Sequence, residues 1–435
     1  MTQEELKGDY ERRFNDIKSS NILEKVIKLY NARVVGEEDN INLLWCACIS
    51  KDLPKKYRLS VIITSQSSAG KSNLTNSVLE PFNDDVLEFT DYTQAYLQRT
   101  EWNMNGKIMK MEQMERTNEK RQISIGKLKF MLSEGVLKIG LVERNDKGKN
   151  EPKTLEVRGI PVFISTSTNY NIDPETLNRT FLMQVDETEE QTKKIIDHVL
   201  DDYSTLSINE KWSKNKEKLK EYAKTYKEFA HQVTDILIPF KDRIRDIIPT
   251  SDITMRRDLT KILNLTGVIA FLNFPKRALI ADNDGQNFLT SIWGDAEKRY
   301  TYALIAEPSD FELALRIGGE TIDQTINKVN KASKELLCKF KKIEVEHLDG
   351  VTVSMVAKEI QKSDNRTREL LEQLRSSGFL TREREGKGYR YSSTQKKFEN
   401  ISLKEIEFTK EELDQYIQAQ IGEYKDKFTV VNSRP

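Results

Sequence analysis

Cysteine is scarce: Cys46, Cys48 and Cys338 are the only three in 435 residues. Three thiols offer neither a disulfide framework nor zinc-ligand spacing, which excludes a small secreted scaffold and predicts a reducing, cytoplasmic setting. Cys46 and Cys48 fall in an apolar helical stretch and read as core packing. Histidine is equally rare, and His198, His231 and His347 are scattered without the pairing a metal site needs. No apolar run approaches the roughly 18 to 20 residues that span a bilayer, and the N-terminal Met1-Thr-Gln-Glu-Glu-Leu-Lys7 is too charged for a signal peptide. A soluble chain with no membrane partner is expected. Net charge is lacking too, since 69 Lys and Arg balance 69 Asp and Glu. A neutral total argues against a uniformly basic nucleic-acid binder, but distribution matters more than the sum. Over residues 351–397 cations exceed acids by five, so the C-terminal portion is the basic one.

What is present is a chain long enough for two to four domains and one strong motif. Ser60-Val-Ile-Ile-Thr-Ser-Gln-Ser-Ser-Ala-Gly70-Lys71-Ser72-Asn73 runs from a β-branched apolar strand into a small-residue loop and then a helix. This pattern predicts a phosphate cradle. Backbone N–H groups over Ser67, Ser68, Ala69 and Gly70 turn inward on the phosphates, Lys71 reaches the outer ones, and the Ser72 hydroxyl holds Mg²⁺. The helix from Asn73 adds its positive dipole end. The usual pattern opens with Gly, and Ser65 stands there instead.

Upstream, helix-spaced apolar residues over 20–50 break at Val35-Gly-Glu-Glu38. Downstream, Pro81 stops the cradle helix. The run Lys107-Ile-Met-Lys-Met-Glu112-Gln113-Met-Glu115 reads as a strand ending in acid, with Glu112 suited to Mg²⁺. Gln113 stands where a nucleotide hydrolase keeps the residue that polarises water; an amide orients water but accepts no proton. Three accounts stay open: Glu115 substitutes, hydrolysis is slow, or a deliberate Glu→Gln exchange traps bound ATP. Two alternating segments over 137–163 flank Asp146-Lys-Gly-Lys149 and predict a hairpin. Its Lys147, Lys149 and Lys153 either are merely solvated or line a pore that tracks DNA. Ile160 to Asn169 is a buried strand whose polar end, Thr168 and Asn169, suits a sensor of the terminal phosphate. Arg179 precedes the next strand, placed to stabilise charge in a neighbour's site.

The lysine-rich stretch 210–229 reads as a solvated helical arm or a ring-packing face. Arg256 and Arg257 open a further helix and can bend back to the nucleotide. From Val351 to Ser392 the order helix, turn, helix and β-wing predicts a winged helix. There Arg366 and Arg368 are expected to face outward beside the wing residues Lys387 and Arg390, toward DNA. Thr409-Lys-Glu-Glu412 caps one helix in a charged tail.

Taken together, these motifs resemble the AAA+ replicative helicases of the MCM-like type, in particular the helicase module that mobile genetic elements carry beside a primase. Val35-Gly-Glu-Glu38, the loop 65–72, Leu177-Asn-Arg179 and the run from Arg256 to Leu265 carry the likeness over roughly residues 20–395. The resemblance implies an α/β fold: a P-loop AAA+ ATPase core with a helical lid, then a C-terminal winged-helix domain. The expected limits are 1–20 for an N-terminal helical extension, 21–205 for the core, 206–330 for the lid, 331–397 for the winged helix and 398–435 for a helical tail. It also implies ATP and Mg²⁺ as cofactors. Lys71 and Ser72 would be the Walker A pair, Glu112 the Walker B carboxylate, Thr168 or Asn169 the first sensor, Arg179 the arginine finger, and Arg256 or Arg257 the second sensor. Expected partners are single-stranded or forked DNA, further copies in a hexameric ring, and a separate primase or other replication proteins. Gln113 departs from the usual catalytic glutamate, and no primase or zinc-binding domain is expected ahead of the ATPase. The leading expectation is an ATP-driven helicase that replicates a mobile element; an ATP-switched initiator or loader is the alternative, and an ATPase-linked transcriptional regulator the third.

Overall fold

The computed structural model describes residues 3–19, 21–66, 70–89, 103–112, 134–144, 150–168, 174–204, 208–230, 233–249, 255–282, 302–327, 329, 331–347, 349–386, 388–398, 406–422 and 428–432. The chain divides into two compact units, one of residues 1–244, 260–318 and 405–435, the other of 245–259 and 319–404.

The first unit opens with helices α1 (Gln3–Lys18), α2 (Ile22–Tyr30) and α3 (Glu38–Ser50). Strand β1 (Val61–Thr64), helix α4 (Lys71–Leu79), and strands β2 (Val86–Phe89) and β3 (Ile108–Met111) follow. A hairpin of β4 (Val136–Arg144) and β5 (Asn150–Arg158) precedes β6 (Val162–Ser167), the short helix α5 (Pro174–Leu177) and β7 (Phe181–Gln184). Five of these strands form one parallel sheet in the order β2-β3-β6-β1-β7. Covered on both faces, such strands read as continuous apolar runs rather than alternations. Every residue of β1, β3 and β6 is buried, as that rule requires. In β3 the burial includes Lys110, whose Nζ donates to Asn76 Oδ1 at 2.6 Å and to Glu88 at 2.5 Å. Helix α3 is buried from Ile41 to Ser50, with Trp45 against Phe82 at 5.1 Å between ring centres. Burial pushes the Cys46 and Cys48 thiols far up, so they serve as core apolar groups.

Helices α6 (Glu189–Ser204) and α7 (Ile208–Ala230) follow. The stretch expected as a solvated arm is instead a core helix: Leu219, Tyr222, Tyr226 and Phe229 of α7 are buried. Their spacing lays one apolar stripe along a helix whose other face carries the lysines, and charge density alone hides that stripe. The region expected to be helical also carries strands β8 (Val233–Leu237), β9 (Ala278–Asp282) and β10 (Tyr302–Ile305), beside helices α8 (Lys241–Ile247), α9 (Met255–Leu272) and α10 (Pro308–Asn327). The tail adds more than a helix, because its last strand pairs with β9 in a sheet ordered as tail strand, β9, β10, β8.

In the second unit, α11 (Lys331–Glu346), β11 (Val351–Thr352), α12 (Val353–Ile360), α13 (Asp364–Ser376), β12 (Leu380–Glu385) and β13 (Gly388–Ser393) follow in order. The three strands form an antiparallel sheet with β13 central. Its core joins Leu336, Phe340, Val356, Leu371, Phe379 and Tyr391. Thr352 and Ser363 cap the two inner helices with their hydroxyls. After this unit the chain returns to the first through α14 (Lys410–Ile421), capped by Thr409 and Glu412, and β14 (Phe428–Asn432).

Helix α1 is fastened to α7 by a charge cluster. Asp16 receives Lys25 Nζ at 2.6 Å, Lys218 Nζ at 2.8 Å and Tyr222 Oη at 3.0 Å. Partial burial raises the Asp16 pKa, but the hydrogen bonds from Lys218, Lys25 and Tyr222 outweigh it and hold the carboxyl at about 2. A depressed carboxylate contributes stability above its unfolded pKa and loses it as pH falls through the folded value. Asp16→Asn is therefore expected to lower the unfolding free energy by about 1 kcal/mol near neutral pH, a figure discounted for solvent screening. Urea titrations from about pH 7 downward check this. The gap to wild type should close between about pH 4 and pH 2, and a gap of constant size would contradict the assignment.

Candidate nucleotide site

Parallel strands end together, so whatever follows each one gathers along a single edge, the usual place for a ligand in an α/β sheet. Here β1, β3, β6 and β7 end at Thr64, Met111, Ser167 and Gln184. Thr64 lies level with Ser167 on one side and Gln184 on the other. The residues next in sequence are Ser65, Glu112, Thr168 and Val185. The acid-ended strand β3 is separated from β1 by β6 alone, so Glu112 and the loop after β1 lie two strands apart on the same edge.

Gly70 makes the turn into α4 with φ +89°, a left-handed conformation that glycine adopts at no steric cost. Its carbonyl accepts from Leu74 N at 3.0 Å and starts the helix, so the first N–H groups of α4 point back toward the loop. Lys71 Nζ donates to Gln66 O at 2.6 Å, Ser65 O at 2.7 Å and Ser65 Oγ at 3.2 Å. These are the bonds that phosphate oxygens would exchange for their own. Ser65 thus has a use for its hydroxyl, and it has no positive φ, so glycine is not required there. Gln66 N donates to Glu187 Oε1 at 2.8 Å, which ties the loop to the segment after β7.

Beside α4 lies a cavity of about 490 Å³ lined by Val34, Val35, Gly70, Asn73, Leu74, Gln191, Ile195, His198, Val199 and Trp212 among others. Its walls are held by hydrogen bonds from three directions. Glu37 Oε1 accepts from Asp186 N at 2.7 Å, Asn40 Nδ2 donates to Gln184 O at 2.7 Å, and Gln191 Nε2 donates to Val35 O at 2.5 Å. Trp212 Nε1 donates to Glu80 Oε2 at 3.1 Å. Burial raises the Glu80 pKa, but Lys216 and Trp212 overcome it and keep Glu80 below the usual carboxylate range. A cradle for phosphates and an adjoining, mainly apolar cavity suit a nucleotide with its base in the cavity.

Glu112 carries a half-exposed carboxylate with Lys110 Nζ at 3.5 Å. Ser72 and Asn73 are exposed on the first turns of α4. The donor set fits Mg²⁺: one hydroxyl and one carboxylate, the remaining positions falling to phosphate oxygens and water. Arg179 sits in the turn between α5 and β7, its Nη1 donating to Glu175 O and Oε1, both at 3.0 Å. Thr168 is exposed directly after β6, and Arg256 and Arg257 are exposed on the first turn of α9. Ser67, Ser68, Ala69, Gln113, Asn169, Lys147, Lys149 and Lys387 lie outside the described residues, as does the side chain of Lys153.

In the second unit one expectation is corrected. Arg366 does not face outward: its side chain is only 10% exposed and pairs with Glu369 at 3.0 Å. Asp364 begins α13, so position 366 lies in its first turn beside buried Thr367, whereas Arg368 is exposed. Arg390 is half-buried, paired with Glu385 and donating to Gly350 O at 3.1 Å. Sequence reasoning missed Glu187, Gln191, Trp212 and Lys261. Each acts across the fold rather than within a local pattern; Glu187 lies three residues past the end of β7.

Residues 9–225 match the profile of a family described as MTBMA_p00010 P-loop domain. Among solved structures the chain is similar to a full-length MCM homolog from Methanopyrus kandleri, at 11% identity and a TM-score of 0.42 over 71% of this chain and 60% of that one. It is also similar to the NrS-1 C-terminal region, at 16% identity and a TM-score of 0.28 over 47% and 45%. The chain thus spans less than two thirds of the length of either structure. A search of curated proteins found no match.

Gly70→Ala places a side chain in the left-handed region, at about 1–2 kcal/mol of backbone strain. An added Cβ meets nothing within 4 Å, so the effect is conformational. Calorimetric titration should show affinity for magnesium-bound nucleoside triphosphate falling about tenfold, with the circular dichroism spectrum unchanged. Full affinity would contradict the cradle.

Proposed function

We propose, from the P-loop domain profile that residues 9–225 match, that the chain is a DNA-dependent ATPase, the motor part of an MCM-like helicase that works as a hexameric ring in the replication of a mobile element. The observation that carries this reading is the convergence of Lys71, Ser72, Glu112 and Thr168 on one sheet edge beside a base-sized cavity. In this reading Lys71 exchanges its loop carbonyls for phosphate oxygens, and the N–H groups of α4 complete the cradle. Ser72 and Glu112 would hold Mg²⁺, which supplies charge neutralisation between the outer phosphates when bound. Thr168, with Asn169, orients the terminal phosphate, and Arg256 or Arg257 contacts it as second sensor. Arg179 reaches the site of the neighbouring copy and offsets charge developing on the transferred phosphoryl group.

Two elements serve DNA in this proposal. In this reading Lys147, Lys149 and Lys153 would line the ring channel. The helix–strand–helix–helix–strand–strand order of the second unit supports a winged helix, with Arg368, Lys387 and Arg390 as its contacts and Arg366 as internal support. Gln113 favours a second reading, an ATP-switched initiator or loader, because an amide cannot take the proton of attacking water.

Strand displacement on a forked duplex separates the two. Unwinding with ATP and none with a non-hydrolysable analogue is expected; equal displacement with both would exclude a motor. Replacing Lys147, Lys149 and Lys153 together by Ala should reduce stimulation of turnover by single-stranded DNA at least about fivefold and flatten its salt dependence. Unchanged stimulation would reject the hairpin's role.

A further inference from the structure

Arg179 stands in a short turn, and its guanidinium folds back along it, Nη1 donating to Glu175 O and Oε1. Helix α5 is four residues long, a single turn, and an isolated turn of helix is unstable in water. Local bonds run from Arg179 N to Thr176 O at 3.0 Å and from Thr180 Oγ1 to Thr176 O at 3.0 Å. A distant contact comes from α9. Lys261 is 9% exposed, and its Nζ donates to Leu177 O at 3.1 Å and to Thr180 O at 3.2 Å. The two carbonyls bracket Arg179 along the backbone. The same ammonium stands 5.9 Å from the centre of the Phe181 ring. Phe181 begins β7, and its N–H donates to Ser60 O at 2.7 Å, immediately before β1.

A buried ammonium is costly unless its donors are satisfied, so a lysine that turns inward onto two main-chain carbonyls fixes the geometry of what lies between them. We infer that Lys261 is a positioning residue for Arg179: it locks the 177–180 turn to helix α9 and so fixes the backbone from which the guanidinium, held on Glu175 within its own chain, would swing to a neighbour. This rests on the proposed reading in which Arg179 completes a neighbour's site. A rigid first contact matters there, since misplacing a charge-stabilising group by about 1 Å costs on the order of 100-fold in rate. Lys261 touches no nucleotide in this account and acts only through Arg179.

The test is ATP turnover by the full chain with single-stranded DNA, for wild type, Arg179→Ala and Lys261→Met, each alone and each mixed with an equal amount of Lys71→Ala chain. The Lys71→Ala chain has a dead site but an intact arginine to lend. Nucleotide affinity is measured alongside. Lys261→Met and Arg179→Ala are both expected to lose at least tenfold in kcat, keep KM for ATP and nucleotide affinity within about twofold, and regain turnover on mixing. A merely structural lysine would not be rescued in trans. If Arg179→Ala is rescued and Lys261→Met either keeps full turnover or stays inactive on mixing, the inference falls alone. If Arg179→Ala itself is silent or not rescued, the trans-acting reading falls and takes the inference with it. Should Lys261→Met fail to fold, Lys261→Gln enters the same mixtures with the same expected outcomes.

Discussion

The parallel pairing of β1 between β6 and β7 is the constraint on which the site depends. Three strands held in register end at one level, and only then do the loop before Lys71, Thr168 and the segment through Glu187 share an edge. Burial of every side chain in β1 and β6 fixes that register, because slipping one strand would break both its ladder and its packing. The left-handed Gly70 converts the end of β1 into the start of α4 within a few residues. Lys71 therefore sits where helix dipole, backbone N–H groups and sheet edge meet.

Around this centre the fold invests side chains from remote segments. Glu187 steadies the loop through Gln66 N, and Glu37, Asn40 and Gln191 tie the 34–40 segment to the end of β7 and the start of α6. The left-handed Gly36, with φ +67°, lies against the Gln191 carboxamide: a Cβ there would fall 2.6 Å from its oxygen. The left-handed backbone, with this approach beside it, explains why a glycine interrupts the two upstream helices at that point. Charge anchors follow a similar logic, with Lys110 inside the sheet and Lys261 beside the arginine turn.

Much of this is legible in the chain itself. The strand, loop and helix around Lys71, the strand that ends at Glu112, the hairpin, the buried strand β6 and the paired helices α12 and α13 with β12 and β13 all have local signatures, in periodicity, glycine placement or caps. What stays hidden depends on distance in sequence. Nothing near residue 428 shows that the tail strand pairs with β9, and nothing around α7 outweighs its lysines to betray the buried stripe of Leu219, Tyr222 and Tyr226. Arg366 departs from expectation for a related reason: its place in the first turn of α13 looks like a groove-facing position, but packing leaves its side chain only 10% exposed, with one nitrogen on the exposed Glu369. Ser65 shows the converse, a departure from the glycine pattern that supplies a hydroxyl to Lys71.

The central claim is that Lys71 holds the phosphates of a nucleoside triphosphate at the end of β1. Calorimetric titration of wild type and Lys71→Met with ATP and Mg²⁺ tests it most directly. The account predicts saturable binding by wild type and a loss of about 100-fold or more in the variant, with the two unfolding transitions alike. Equal affinity in the two proteins, or no binding by either, would contradict it.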